Sequence, residues 1–182
     1  LKTPVKATEK FSRKIYKLKS IKTLMDSFIK KIFYKQRVYN SIEWAKNEID
    51  SAQDGTVFLA DVHEYTRGRQ GRIWQQYSGQ LLVTILLKPK LLAQVPKREI
   101  ELRLNQLNMA ICLGILDPLK TFGISLKWPN DFVFSGKKVG GLIFDLVWQG
   151  QKLQGIIFGF AINVNNIIPK NSDIEAIIIV FL

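Results

Sequence analysis

Residues 124–164 read ISLKWPNDFVFSGKKVGGLIFDLVWQGQKLQGIIFGFAINV, and this stretch decides the fold. Apolar runs at 124–128, 132–134, 142–148 and 152–164 are separated only by short turns, one at Ser135-Gly136 and one at Gly150. Turns of that length join neighbouring strands as hairpins, whereas a parallel crossover needs a dozen or more residues between strands. The stretch therefore predicts adjacent antiparallel strands.

Outward from it, residues 80–87 and 56–62 read as two further strands, the first ended by Pro89 and the second preceded by an Asp54-Gly55 turn. Residues 41–49 place Ile42, Ala45 and Ile49 on one face of a helix. Residues 100–116 repeat apolar side chains at Ile100, Leu104, Leu107 and Ile111, the spacing of one long helix. The expected class is α+β, a mainly antiparallel mixed sheet with helices packed on one side. Internal repeats and low-complexity segments are absent from the sequence.

Composition narrows the rest. At 182 residues and 47% apolar, the chain can bury one core and is not disordered throughout. Its apolar runs fall far short of the ~18 residues of a membrane span. Cys112 is the only cysteine, which excludes an internal disulfide framework and suits a reducing, cytoplasmic setting. With His63 as the one histidine, no common zinc site can be built.

The net charge of +12 belongs to one end. Residues 1–37 hold 12 basic and 2 acidic side chains, while residues 38–182 are nearly neutral at 15 against 13. Leu18, Ile21, Met25, Phe28 and Ile32 recur at helical spacing among Lys17, Lys22, Lys30 and Lys31, which predicts a basic amphipathic helix over 15–33 within an arm of residues 1–37. Solvated lysines on a body-bound helix are the expectation; contact with nucleic acid or an anionic surface, or a targeting role, stay open.

Two segments carry chemistry. Thr66-Arg67-Gly68-Arg69-Gln70-Gly71-Arg72-Ile73-Trp74 gathers three guanidinium groups between glycines and ends on an indole. Such forks grip phosphate or carboxylate oxygens in pairs, and glycines let backbone N–H groups come close to an anion. Lys127-Trp128-Pro129-Asn130-Asp131 places an amide and a carboxylate in a turn, and the next hairpin returns Lys138 and Gly140-Gly141 to the same neighbourhood. Neither a phosphate-loop lysine motif nor a dinucleotide glycine fingerprint occurs, and no nucleophile elbow is present.

In this order and about 60 residues apart, the two segments resemble the biotin protein ligase family, with its GRGRxGRxW loop and KWPND…KxxG run. Asn163, at the end of Phe158-Gly159-Phe160-Ala161-Ile162-Asn163, is similar to the family's GxGIN strand end. The resemblance covers roughly residues 38–165. It implies the class II synthetase-like catalytic fold shared by biotin and lipoate ligases, with residues 38–182 as a C-terminally short catalytic domain. The arm is too short for a winged-helix DNA reader, so a monofunctional ligase without specific DNA binding is expected.

The resemblance implies that biotin and ATP form biotinyl-5′-adenylate and pyrophosphate. The biotinyl group then passes to one lysine of a biotin carboxyl carrier domain, in a biotin-dependent carboxylase such as acetyl-CoA carboxylase, and AMP leaves. Arg69, Lys138 and Asp131 are the implied catalytic residues. Arg69, Arg72, Trp74, Asn130, Asp131 and Asn163 are implied on the ATP side, with Asp131 orienting Mg²⁺ through phosphates or water. Asn40, Ser41, His63, Arg67, Gly68, Lys138 and Gly141 are implied on the biotin side.

The chain departs from the pattern in places. Asn40-Ser41-Ile42 stands where the family has Ser-Thr-Asn, His63 where it has Gln, and Ala161 where it has Gly. Thr66 occupies the loop's first glycine position, where a positive φ would strain a β-branched residue by ~1–3 kcal/mol. Two alternatives stand beside ligation of biotin: a lipoate or octanoate ligase of the same fold, and a non-catalytic protein that binds biotin or nucleic acid. The apolar tail at 176–182 is expected to pair within the sheet or across a homodimer.

Overall fold

Ser135 and Gly136 both have positive φ (48° and 79°), the backbone that a two-residue hairpin turn requires. They join β5 (Asp131–Phe134) to β6 (Lys137–Gln149), which pairs in turn with β7 (Lys152–Ile162). The computed structural model describes residues 29–77, 79–88, 95–166 and 168. Before these strands come β1 (Lys31–Val38), α1 (Ser41–Asn47), β2 (Thr56–His63), β3 (Leu81–Leu87), α2 (Lys97–Leu119) and β4 (Ser125–Lys127).

The strands form one seven-stranded sheet in the order β1-β2-β3-β7-β6-β5-β4. Among the described residues only β1 runs parallel to its neighbour, with Phe33 beside Phe58; the other pairings are antiparallel. The mixed, mainly antiparallel sheet matches the expectation.

The helices are placed differently from the expectation of one side. Side chains alternate across β7, and so do their partners. Ile157 packs with Phe58, Leu86 and the α1 residues Ile42, Trp44 and Ala45. Ile156 and Phe158, one step away, pack with Leu87, Leu142 and the α2 residues Ile100 and Cys112. Among the described residues, one helix thus packs on each face of the sheet, and both faces of its central strands are apolar. Fully burying side chains such as Phe58, Ile156 and Ile157 stabilises the fold by ~1.5–3 kcal/mol each.

Strand β1 corrects the helix expected over 15–33: Lys31 to Phe33 are strand, and residues 15–28 lie outside the described residues. Residues 31–37 of the expected arm are accordingly bonded into the sheet. The basic side chains suit an edge strand. The Lys35 ammonium lies 4.3 Å from the Trp44 ring centre and that of Lys31 lies 4.6 Å from Phe33, so they cap an aromatic cluster of Phe33, Trp44 and Phe58. The apolar tail at 176–182 also lies outside the described residues.

Two tethers position the helices. Asn40 caps α1, its Oδ1 accepting from the N–H groups of Ile42 (2.8 Å) and Glu43 (3.2 Å). In α2, Asn108 Nδ2 donates to the Pro129 carbonyl at 2.9 Å, and the buried Cys112 thiol lies 3.6 Å from the same oxygen. Burial pushes the Cys112 thiol above its ordinary pKa, as suits a packing residue.

Candidate functional site

The arginine-rich segment between β2 and β3 is a small hairpin rather than a loose loop. Thr66 and Trp74 close its base: the Trp74 N–H donates to the Thr66 carbonyl at 3.0 Å, and Thr66 Oγ1 donates to the Trp74 carbonyl at 2.6 Å. Arg67 bridges to Ile73, and the Gly68 N–H donates to the Arg72 carbonyl at 2.7 Å. Gln70 (φ 57°) and Gly71 (φ 74°) turn the tip through left-handed backbone. Among the described residues only Gln70, Ser135 and Asn165 are non-glycines with positive φ. Thr66 therefore escapes the strain that a glycine-like backbone would impose, and its hydroxyl locks the flap instead.

This flap covers a cavity of about 590 Å³, within the range of small-molecule sites. The flap supplies Arg67, Gly68, Arg69, Arg72 and Trp74; the turn before β5 and the start of β6 supply Asn130, Asp131, Lys138 and Gly141. The inner end is formed by Asn40, Ser41 and Ile42 at the start of α1, with Thr84 of β3 and Gly159 of β7. Arg69 and Lys138 thus share one cavity.

Each polar group has a defined setting. Lys138 Nζ lies 2.5 Å from Asp131 Oδ1 and 5.5 Å from the centre of the Trp74 ring. Arg69 Nη1 donates to Asn130 Oδ1 at 2.9 Å, while Asn130 Nδ2 donates to the Leu142 carbonyl at 2.9 Å, so the amide is fixed from both ends. Arg72 donates to Gln70 at 3.0 Å, within the flap. Arg67 is bonded to Asp145. The buried Trp74 Nε1–H has no hydrogen-bond partner among the described residues.

At the inner end, Ser41 Oγ and Thr84 Oγ1 are 2.7 Å apart, a buried hydroxyl pair. The Asn40 carbonyl oxygen is committed to the α1 cap, so only its amide N–H groups face other partners. Ile42 contributes an apolar wall, and a Cβ on Gly159 would stand 3.2 Å from its Cδ1.

Two expected site residues lie elsewhere. His63 is enclosed at the end of β2, beside Val38 in register, and is not a lining residue of the cavity. Its two ring nitrogens have no partner among the described residues, and burial pushes its pKa below the ordinary value. Asn163 is fully buried just beyond β7, where its Oδ1 accepts from Gln80 Nε2 at 2.7 Å, and it too is outside the lining. In both cases the strand end holds the side chain inside the fold. Sequence reading missed Thr84 and Asp145. Thr84 is the lone polar residue in the apolar run of β3, a signal that could have marked it. Asp145 similarly interrupts β6, but its partner Arg67 lies 78 residues away.

The pattern of the Biotin/lipoate A/B protein ligase family matches residues 32–163. The chain belongs to this family. Among curated proteins it is 27% identical over 136 residues to the bifunctional ligase/repressor BirA of Bacillus spizizenii, covering 71% of this chain and 39% of that protein. It is 31% identical over 84 residues to the biotin–[acetyl-CoA-carboxylase] ligase of Paracoccus denitrificans, covering 43% of this chain and 32% of that one. The chain therefore spans well under half the length of these relatives.

Among solved structures, the biotin protein ligase from Aquifex aeolicus in complex with biotin and ATP superposes with a TM-score of 0.63 at 30% identity. That likeness covers 81% of this chain and 59% of the other. The biotin protein ligase of Leishmania major in complex with biotin shares the fold, with a TM-score of 0.60 at 18% identity, over 80% of this chain and 62% of that one. Among the described residues no helix is long and apolar enough to cross a membrane.

Proposed function

We propose that this chain activates biotin with ATP and transfers the biotinyl group to a carrier lysine. Two anions must meet in the first step: the biotin carboxylate oxygen attacks the α-phosphorus, the bond to the β-phosphate bridging oxygen breaks, and pyrophosphate leaves. The obstacle is charge repulsion and alignment, which positioned cations relieve without a protein nucleophile. The observation that carries the reading is the convergence of Arg69 on the flap with Lys138 and Asp131 on the β5–β6 hairpin around one cavity.

In this reading Lys138 sits between the carboxylate and the α-phosphate, while Arg69 and Arg72 hold the phosphates from the flap side. Trp74 lines the adenine end. Ser41, Gly68 and Gly141 surround the biotin end, with Thr84 bonded to Ser41 behind them. In the second step the neutral carrier amine attacks the acyl carbonyl and AMP leaves, with Asp131 accepting the amine's proton once Lys138 has turned to the substrate.

Magnesium fits one feature of the site. Asp131 offers a hard carboxylate oxygen beside the phosphate position, and Mg²⁺ is commonly held by one carboxylate plus substrate phosphates and water. When bound, the ion would neutralise phosphate charge. Asp131 would hold it, exchanging its Lys138 contact for the metal.

The partner is a biotin carboxyl carrier domain of a biotin-dependent carboxylase, in the cytoplasm. Incubation with biotin, ATP, Mg²⁺ and such a domain, read by pyrophosphate release and an avidin blot, tests the reading. Release driven by octanoate or lipoate in preference to biotin would assign the cavity to the acyl-chain branch of the family instead. Absence of release with every acid, from folded protein, would reject catalysis.

A further inference from the structure

We infer that Asp145 is a positioning residue which holds the root of the flap through Arg67, leaving Arg69 and Arg72 to meet the reactants. The inference rests on the proposed role of the flap in gripping phosphates. Asp145 lies on β6 opposite Ile157, with its side chain only 15% exposed. Its Oδ1 accepts from Arg67 Nη2, and its Oδ2 lies 2.9 Å from Lys46 Nζ in the last turn of α1. Lys46 also lies 2.8 Å from Glu43 Oε1. Sheet, helix and flap are thus joined at one carboxylate.

A carboxylate so enclosed is costly unless cations stay with it, and a shielded pair loses less to salt than an exposed one. The three flap arginines then divide by partner. Arg67 is tied to the sheet, Arg69 reaches across to Asn130 at the cavity, and Arg72 bonds inside the flap to Gln70. Neutral amide partners such as those of Arg69 and Arg72 yield to phosphate oxygens, since charge-assisted bonds are roughly twice as strong. The carboxylate partner of Arg67 does not yield on that ground. Arg67 therefore stays at the base while the other two exchange partners, and the carboxylate sets the height at which the flap presents them.

Limited trypsin digestion reads the flap directly, because its cleavage sites include Arg69 and Arg72. In Asp145→Asn these bonds are expected to be cut about tenfold faster, and the Trp74 amide to exchange with deuterium faster in step, for the loss of one charge-assisted bond. Asp145→Glu should restore much of the protection. Arg67→Gln, at a side chain 41% exposed, should loosen the flap equally and keeps the test available if the β6 variant folds poorly. The double variant should be no looser than either single one.

In pyrophosphate release, Asp145→Asn should raise KM for ATP about tenfold with a smaller change in kcat. Unchanged digestion in both single variants would overturn the inference, as would effects that add in the double variant. Digestion and exchange need no substrate. A wild-type protein that shows the expected flap behaviour but forms no adenylate would therefore sink the proposed activity alone.

Discussion

The Lys138 ammonium and the Asp131 carboxylate face each other at 2.5 Å across the β5–β6 hairpin, each about one-third exposed. The hairpin fixes this approach, since Asp131 pairs in register with Gly141 and Val133 with Lys138, with an irregularity between Phe132 and Val133 that brings the two side chains to the same cavity. Both groups line the cavity, and Asp131 is less enclosed than Asp145, whose side chain is only 15% exposed.

Lys138→Ala is accordingly expected to lower the rate of biotin-dependent pyrophosphate release by ~10²–10³, the usual cost of losing one preorganised donor to transition-state charge. Folding should be little affected, because the side chain is partly exposed. Stopped-flow detection of pyrophosphate checks the rate, and unchanged release would exclude Lys138 from the chemistry.

Gly140→Ala is expected to destabilise the fold by ~1–3 kcal/mol. A Cβ at this position would lie 2.8 Å from the backbone oxygen of Ala161, and a paired strand cannot move aside as a side-chain end can. Urea denaturation of both proteins measures the difference. The neighbouring Gly141→Ala should leave stability nearer wild type, since its closest contact would be 3.4 Å.

Stability should fall on acidification through His63. Burial lowers its folded-state pKa below the ordinary 6.5, so in the window beneath that value the unfolded chain binds the proton that the folded one refuses. The contribution is full above pH 6.5 and is lost as pH drops toward the folded-state pKa. Chemical denaturation at pH 7.5 and at pH 5.5 should show the decline, and His63→Gln should flatten it if the fold tolerates the amide.

Thr66→Val removes the hydroxyl that donates to the Trp74 carbonyl while keeping shape and β-branching. The loss is expected to cost ~0.5–1.5 kcal/mol of local stability, seen as faster deuterium exchange at the Trp74 and Gly68 amides with a small change in global unfolding. Equal exchange in both proteins would show that the backbone bonds alone close the flap.

How far the sequence could be read depended on how local each signal was. The Ser135-Gly136 turn and the alternation of apolar side chains in β7 act within a few residues, so hairpins and strands were legible. Strand β1 was not. Its Lys31, Lys35 and Arg37 continue the basic character of the preceding residues, and their pairing with β2 lies beyond the Ser41–Asn47 helix. The opposite placement of α1 and α2 was hidden for a related reason, because Ile156 and Ile157 are equally apolar and only tertiary packing tells which helix each meets. At the site, the arginine cluster and the Lys138 hairpin could be recognised as charged motifs. The retreat of His63 and Asn163 into the fold could not, because a polar residue at a strand end reads alike whether it turns inward or toward a ligand.

The closed base of the flap has an entropic consequence. Fixing a residue's backbone costs ~1–2 kcal/mol, and residues 66–68 and 72–74 are already ordered by bonds made within the protein's own folding. For an anion gripped by Arg69 and Arg72, little backbone beyond the Gln70-Gly71 corner would remain to be ordered, so the loop-ordering share of the binding cost would be small.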